Sequence, residues 1–581
     1  MRWLRLGGDR WNRAWTVFLL ALAGYHLTLL DRGALAWPDE FLYRLQPLAG
    51  VEALARADLH SFAAAFGAWG ARPGETALRM APAVLQLALE RFGGVAPLSP
   101  VSMRLVALSN VLVSLLLAAA FYRVVRLFLP QRRSVALLGA GVFSLLVANH
   151  VWVRHVVPYD TALLLCLISL HLALRNETPD APGDLRPALA GVALPGLGLA
   201  VYPLFFYRWR ALGPLLALAV LAATAAGLWV AARRAESVDR RRSIAAGIVG
   251  GLSLSVYPAY YPFHAGVLAL IALGGRGNAV FSASRARARA ACLHGLSLLL
   301  VLASFEVVAR VGGGSYFAAA ARLSSTITQG SFEEGFCFLP KYCWEVEGWT
   351  GVLLLLLASA FFAGLVVSRS QSLGGRGTAL TRFVLLCTCL YLVYACQSAV
   401  LHKMTFTGRY LRMYLPALVL AAMAPIAAIA GTKARRAAVL GVGVVSVVSF
   451  LQFAREYSRQ GYPVNALYEL GIGFEDVPAS QRVYESSIMP DYNLPVKALT
   501  VGAHYRTHAD DPRFVLVNFG WFDLEGRAGP TYSPPDGSVL LYRAPHFQCF
   551  RSSRFEAWGI DRRREFRERH YELRVYEILR P

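Results

Sequence analysis

Acidic residues are scarce in this chain. Its 581 residues hold 36 Asp and Glu against 58 Lys and Arg, and only 16% of all residues are charged. Soluble domains carry about a quarter, so most of this length is not a soluble globular protein. A formal charge of +22 would suit a nucleic-acid binder. Here, however, the arginines lie mostly in short loops between apolar runs, which is the positive-inside pattern of a membrane protein. No nucleic acid is expected as a partner, and membrane lipid is. Cysteine is also thin, eight in all. Cys166, Cys292, Cys387, Cys389 and Cys396 fall in or beside apolar runs and read as packing residues. Cys337 and Cys343 share one polar loop. Two ligands are too few for structural zinc, and in an oxidising compartment the pair is expected to form a disulfide. The polar tail beyond Phe453 shows no metal motif, glycine-rich phosphate loop or nucleophile elbow.

Hydrocarbon is what the chain does have, at 56% hydrophobic residues. Several apolar runs exceed the roughly 20 residues that cross a bilayer. Arg2, Arg5, Arg10 and Arg13 place the N-terminus in the cytoplasm, and Ala14–Leu30 exits. Ala34-Leu35-Ala36 has the small-residue pattern of a signal-peptidase site, but with many spans following, the first is read as retained. A polar stretch to Pro100 includes Thr76–Phe92, whose apolar residues recur at helical spacing as in an interfacial helix. Further crossings are expected at 103–122, 134–153, 161–174, 187–207 and 211–232. Ser243–Leu273 has arginines at both ends and a break at Tyr257-Pro258-Ala259-Tyr260-Tyr261-Pro262, and is read as two short helices. A weak repeat supports that pairing: Gly196-Leu197-Gly198-Leu199-Ala200-Val201-Tyr202-Pro203 recurs as Gly251-Leu252-Ser253-Leu254-Ser255-Val256-Tyr257-Pro258. Spans at 291–308, 350–367, 383–400, 413–430 and 437–453 bring the total to about thirteen, with the C-terminus outside. Residues 311–349 then form an external loop. The tail from 456 carries strand-like runs at 514–519, 539–542 and 573–578 and reads as a small external α/β domain. The fold class is thus a polytopic α-helical membrane bundle over residues 1–455 with that domain appended.

The outward-facing polar residues are the candidates for chemistry, because ionisable groups at membrane depth are expensive and mark function by default. They are Asp39 and Glu40 after the first span, Arg104 at the start of the second, Asn149, His150, Arg154, His155 and Asp160 at a short turn, and His402, Lys403, Arg409 and Tyr410 before a late span. Carboxylates opposite a basic cluster suit a reaction in which cations hold a lipid phosphate while a carboxylate takes a proton from an acceptor. Each residue also has a bland reading. Asp39 and Glu40 can be a solvated loop pair, Asp160 a helix cap, Arg104 a partner of a loop acid, and Arg409 and Arg412 side chains reaching to headgroups.

Four ordered segments carry a resemblance. They are Trp37-Pro38-Asp39-Glu40; Met103-Arg104-Leu105 with Tyr122-Arg123-Val124-Val125-Arg126-Leu127-Phe128; His150-Val151-Trp152-Val153-Arg154-His155-Val156-Val157-Pro158-Tyr159-Asp160; and Gly408-Arg409-Tyr410-Leu411-Arg412-Met413-Tyr414-Leu415-Pro416. In these the chain resembles the GT-C superfamily of membrane glycosyltransferases, close to the protein O-mannosyltransferase and lipid A aminoarabinose-transferase group. Tyr159 separates Pro158 from Asp160, where the family often has the two adjacent. The resemblance implies a polyprenyl-phosphate-linked sugar donor and inverting transfer on the external face of a plasma membrane, such as a bacterial inner membrane. The acceptor is left open as a lipid, glycan or protein. It implies Asp39 as base, Glu40 orienting it or helping to bind a cation, and Asp160 as a second acid. Arg104, Lys403 and Arg409 become candidates for the phosphate, with Arg154, His155 and Tyr410 also facing substrate. Asp39 and Asp160 can instead hold a divalent metal ion. A transporter or flippase of a lipid-linked glycan, or a non-catalytic scaffold, would share the same charges.

Overall fold

The computed structural model of the chain describes residues 10–30, 38–67, 72–95, 100–130, 132–155, 157–174, 237–273, 285–327, 336–367, 374–400, 408–459, 514–519, 538–546 and 571–578, with single positions at 226, 549, 551 and 555. The expected spans at 187–207 and 211–232, the first copy of the repeat, the Ala34-Leu35-Ala36 site, His402 and Lys403 lie outside these residues, position 226 apart.

The described chain is mostly helical. Helices α1 (Arg10–Leu27), α2 (Pro38–Ala55), α3 (Leu59–Gly67), α4 (Pro73–Phe92), α5 (Pro100–Phe128), α6 (Arg133–Ser144) and α7 (Tyr159–Leu174) come first. After them run α8 (Ser237–Val256), α9 (Tyr261–Leu273), α10 (Arg285–Val311), α11 (Tyr316–Ile327), α12 (Phe338–Glu345), α13 (Trp349–Val367), α14 (Gly374–Ala399), α15 (Gly408–Leu411), α16 (Leu415–Ala428) and α17 (Thr432–Tyr457). Among the described residues, six helices are long and apolar enough to cross a membrane: Arg104–Phe128, Ala288–Val311, Trp349–Val367, Ala379–Cys396, Gly408–Ala428 and Thr432–Tyr457. α6 and α7 are apolar but shorter.

The break expected in the 243–273 run is present. α8 stops at Val256, a 3₁₀ turn covers Pro258–Tyr260, and α9 begins at Tyr261. α8 lies against α10 through glycines four residues apart. A Cβ on Gly247 would meet the His294 carbonyl, and one on Gly251 would sit 2.7 Å from the Leu298 carbonyl oxygen. Small residues at i and i+4 let two helix backbones approach. On its other side α8 is tied to α7 by side-chain-to-carbonyl bonds, Ser169 Oγ to Ala246 O at 2.8 Å and Ser253 Oγ to Ala162 O at 3.0 Å.

The span expected over 134–153 is not one helix. α6 ends at Ser144, a 3₁₀ turn covers Val147–Asn149, and the described chain runs buried from there to Tyr159. Buried irregular backbone needs partners for its polar groups, and the protein supplies several here. Glu347 accepts from the Val147 and Ala148 N–H groups at 2.7 and 3.2 Å. Asn110 Nδ2 donates to the Val153 and His155 carbonyls at 3.2 and 2.7 Å. Tyr457 Oη donates to Val151 O at 2.7 Å. The His150 ring shares a hydrogen bond with His26 of α1 at 2.9 Å.

α4 turns its polar side inward. Glu75, Thr76, Arg79 and Gln86 are buried, whereas Leu78, Val84, Leu85 and Phe92 are exposed, Phe92 at 88%. A soluble helix shows the opposite arrangement. An apolar outer face is what an interfacial helix presents to lipid.

The three strand-like runs of the tail are strands: β1 (Phe514–Phe519), β2 (Ser538–His546) and β3 (Tyr571–Ile578). They form one antiparallel sheet in the order β1-β3-β2, with a register shift between Leu540 and Tyr542.

The disulfide expected between Cys337 and Cys343 is absent, and both thiols are free. Cys337 is the exposed N-cap of α12 and Cys343 is buried within that helix. Six residues of helix rise about 9 Å, beyond the ~7 Å between Cα atoms that a disulfide spans.

Candidate functional site

The start of α7 is where distant parts of the chain meet. Pro158 accepts the first helical bond, from Ala162 N at 2.9 Å, and Tyr159 and Asp160 occupy the first turn. Asp160 is buried and forms an ion pair with Arg412, which is fully buried. Arg412 Nη2 also donates to Asn149 Oδ1 at 2.8 Å. Arg409, one helical turn earlier, donates from Nη1 to Tyr159 Oη at 2.6 Å, 250 residues away in sequence. Its guanidinium lies 5.1 Å from the Tyr159 ring centre and 5.6 Å from that of Trp152. Such contacts with aromatic faces favour a cation most where water is excluded.

Arg72, just before α4, closes another side. It sits 5.7 Å from the Tyr159 ring and 5.1 Å from the Tyr257 ring. Tyr257 meets Tyr159 edge-on at 5.0 Å and stacks with Tyr410 at 6.2 Å. Next to these is a second buried ion pair. Arg79 Nε donates to Glu75 Oε1 at 2.7 Å, and the remaining arms of Arg79 reach Ser109 Oγ at 2.8 Å and the Val157 carbonyl at 3.3 Å. Arg79 and Glu75 are also close enough to act electrostatically on Asp160. Two polar atoms at the centre, Arg412 Nε and Asp160 Oδ2, are buried with no hydrogen-bond partner among the described residues. Buried polar atoms rarely go without a partner. A guanidinium fork beside a carboxylate, walled by tyrosines and a tryptophan, can bind an oxyanion and order a hydroxyl group next to it.

Four of the residues singled out from the sequence come together here: Asn149, Asp160, Arg409 and Tyr410. The others do not join them. Arg104 is on the exposed side of the first turn of α5. Arg154 is buried but committed to the end of α17: it donates to Tyr457 O at 2.6 Å and stacks 3.8 Å above that residue's ring. His155 is buried, with its ring edge-on to Trp152 at 6.1 Å and its carbonyl bonded to Asn110. Asp39 and Glu40 follow Pro38 in the first turn of α2, and their side chains lie outside the described residues, as does Lys403. Among the described residues no group of three or more His, Cys, Asp or Glu side chains is placed to hold a metal ion.

Arg72, Glu75, Arg79, Tyr159 and Tyr257 were not singled out by sequence. Glu75 and Arg79 did leave a signal, an acid and a base four residues apart at the head of an otherwise apolar stretch. The C-terminal region also reaches the site. Phe555 is buried between Trp152 and Tyr342, with ring centres 5.7 and 6.1 Å away, and its backbone fills the space beside Gly408.

No protein-family model matches this chain, and no curated protein matches its sequence.

Proposed function

We propose that the chain is an integral-membrane glycosyltransferase. It takes a sugar from a polyprenyl-phosphate donor and passes it, with inversion, to a lipid, glycan or protein acceptor on the extracytoplasmic face. The observation that carries this reading is the meeting of Asp160 with Arg412 and of Tyr159 with Arg409. These residues belong to two of the segments in which the chain resembles GT-C enzymes, and Asp160 and Arg412 keep buried donor and acceptor atoms with no hydrogen-bond partner among the described residues. In this proposal Arg409 and Arg412 hold the lipid phosphate. Asp160, already engaged by Arg412, orients that guanidinium. Asp39 takes the acceptor's proton, with Glu40 beside it. The bond from the anomeric carbon to the phosphate oxygen breaks as the acceptor oxygen attacks from the opposite face. The departing phosphate is a weak base, so cationic stabilisation suffices and no strong general acid is needed. The thirteen-crossing topology, cytoplasmic N-terminus, external C-terminal domain and any divalent ion on Asp39 belong to the same proposal.

The break between α8 and α9 favours a second reading, since transporters place broken helices at their binding sites. One experiment separates the two. Membranes with labelled polyprenyl-phosphate sugar are assayed for transfer with the wild type, Asp39→Asn and Arg412→Ala. Transfer is expected in the wild type and a drop of at least about a hundredfold in each variant. Undiminished transfer by Asp39→Asn would remove that residue as base. Translocation of the lipid without transfer would establish the flippase.

A further inference from the structure

Glu347 lies in the junction between α12 and α13, 200 residues from the turn it holds. It is 2% exposed. Its carboxylate accepts three hydrogen bonds: Val147 N–H on Oε2 at 2.7 Å, and Ala148 N–H at 3.2 Å and Tyr342 O–H at 2.7 Å on Oε1. Burial pushes the carboxyl above its usual value, while Tyr342 and the two N–H groups pull it back. The junction is itself tied down, since Ser449 Oγ donates to the Glu347 carbonyl at 3.1 Å. The residue that follows the two captured amides is Asn149. Its amide nitrogen donates to the Phe143 carbonyl, and its oxygen accepts from Arg412 Nη2 at 2.8 Å. An unbroken series of contacts thus runs from Glu347 through the Val147–Asn149 turn to the guanidinium that meets Asp160.

We propose that Glu347 is a positioning residue for Arg412. By fixing the Val147–Asn149 turn it keeps the Asn149 oxygen on Arg412 and so aims that guanidinium at a bound phosphate. The inference rests on the reading of Arg412 as part of a phosphate site. Three donors on one carboxylate are more than an amide can serve. In Glu347→Gln one oxygen remains to accept, and the amide NH₂ turns a donor toward a backbone N–H or the Tyr342 hydroxyl. The turn is then released without loss of side-chain volume.

The test uses full-length protein in detergent with two readouts, binding of polyprenyl phosphate without sugar and steady-state transfer. Glu347→Gln is expected to weaken binding and raise KM about tenfold, a change of about 1.4 kcal/mol, with kcat changing much less. Asn149→Ala is expected to do the same, and the double variant to be no worse than Asn149→Ala alone, because both act on one contact. Tyr342→Phe removes one donor and is expected to shift KM in the same direction by less. It carries the test if Glu347→Gln cannot be purified. The control is Glu306→Gln, which disturbs another buried carboxylate, one that holds Ser315 Oγ, Phe317 N and Arg310. It is expected to lower stability while leaving KM unchanged. Unaltered binding in folded Glu347→Gln, additive losses in the double variant, or an equal KM change in Glu306→Gln would each overturn the positioning role while leaving the glycosyltransferase reading intact. A wild type that neither binds nor uses polyprenyl phosphate would overturn both.

Discussion

At the scale of single residues, the Asp160–Arg412 pair dominates. Removing one partner of a buried pair leaves an uncompensated charge and costs about 3–5 kcal/mol, whereas replacing both with apolar groups of similar size is often neutral. Arg412→Met is therefore expected to lower the unfolding midpoint in detergent sharply, and Asp160→Leu combined with Arg412→Met to recover most of the loss. Activity is expected to vanish in both, which separates fold from function. Half of this pair was visible in one dimension. Asp160 and Arg409 stand out as ionisable residues at the edges of apolar runs, but Arg412 reads as readily as a headgroup contact. Sequence shows that a charge is costly in such a place. It does not show which residue, far along the chain, compensates it. Asp58 is a simpler case. It caps α3 by accepting from Ser61 N–H at 2.9 Å, and bonds to Ser61 hold its carboxyl below the usual 3.8. A depressed carboxylate stabilises above its unfolded value and loses that contribution as pH falls through the folded one. Protection of the α3 amides, relative to their intrinsic exchange rate, is thus expected to fall selectively as pH drops below about 3.8, and not in Asp58→Ala, where it is already low.

At the scale of elements, contact between α8 and α10 depends on what is missing from their surfaces. Gly247→Ala and Gly251→Ala each place a methyl group on a backbone carbonyl of α10, which no rotamer change relieves. Each is expected to cost at least about 1–3 kcal/mol, read as a fall in the detergent melting temperature. Gly24 and Gly441 have open space where a Cβ would go. Alanine there is expected to be neutral or stabilising, because glycine in a helix costs about 1 kcal/mol relative to alanine. The two broken helices show what sequence can convey at this scale. The break at Tyr257-Pro258 is legible because proline carries its own backbone geometry. The break after Ser144 is not. The run Val142-Phe143-Ser144-Leu145-Leu146-Val147-Ala148 is almost wholly apolar, and hydropathy measures transfer from water rather than the path of the backbone. The carboxylate that holds the turn after that break, Glu347, lies in another part of the chain.

At the scale of the whole molecule, short runs of β-branched, aromatic and other apolar residues located the three described strands, because that signal is local to each strand. Attachment of the C-terminal region to the bundle leaves no such trace. Among the described residues it includes Arg551 donating to the Ser449 carbonyl at 3.1 Å, Cys549 fully buried, and Phe555 lodged beside Gly408 and Trp152. Any side chain at 408 competes with Phe555 for the same space. Gly408→Ala is therefore expected to release the segment and make Cys549 reactive toward maleimide, followed by mass spectrometry of its peptide. In the wild type Cys549 is expected to stay unlabelled while exposed Cys337 reacts. The contact also has a consequence for biosynthesis. Domains fold largely in the order they emerge during synthesis, and the helices around Trp152 enter the membrane well before Phe555 is made. Until then the ring of Trp152 lacks one of its neighbours. Maturation of the site must therefore wait for the C-terminal region to be made and to fold back, so a ribosome-stalled or truncated chain would be inserted yet incomplete.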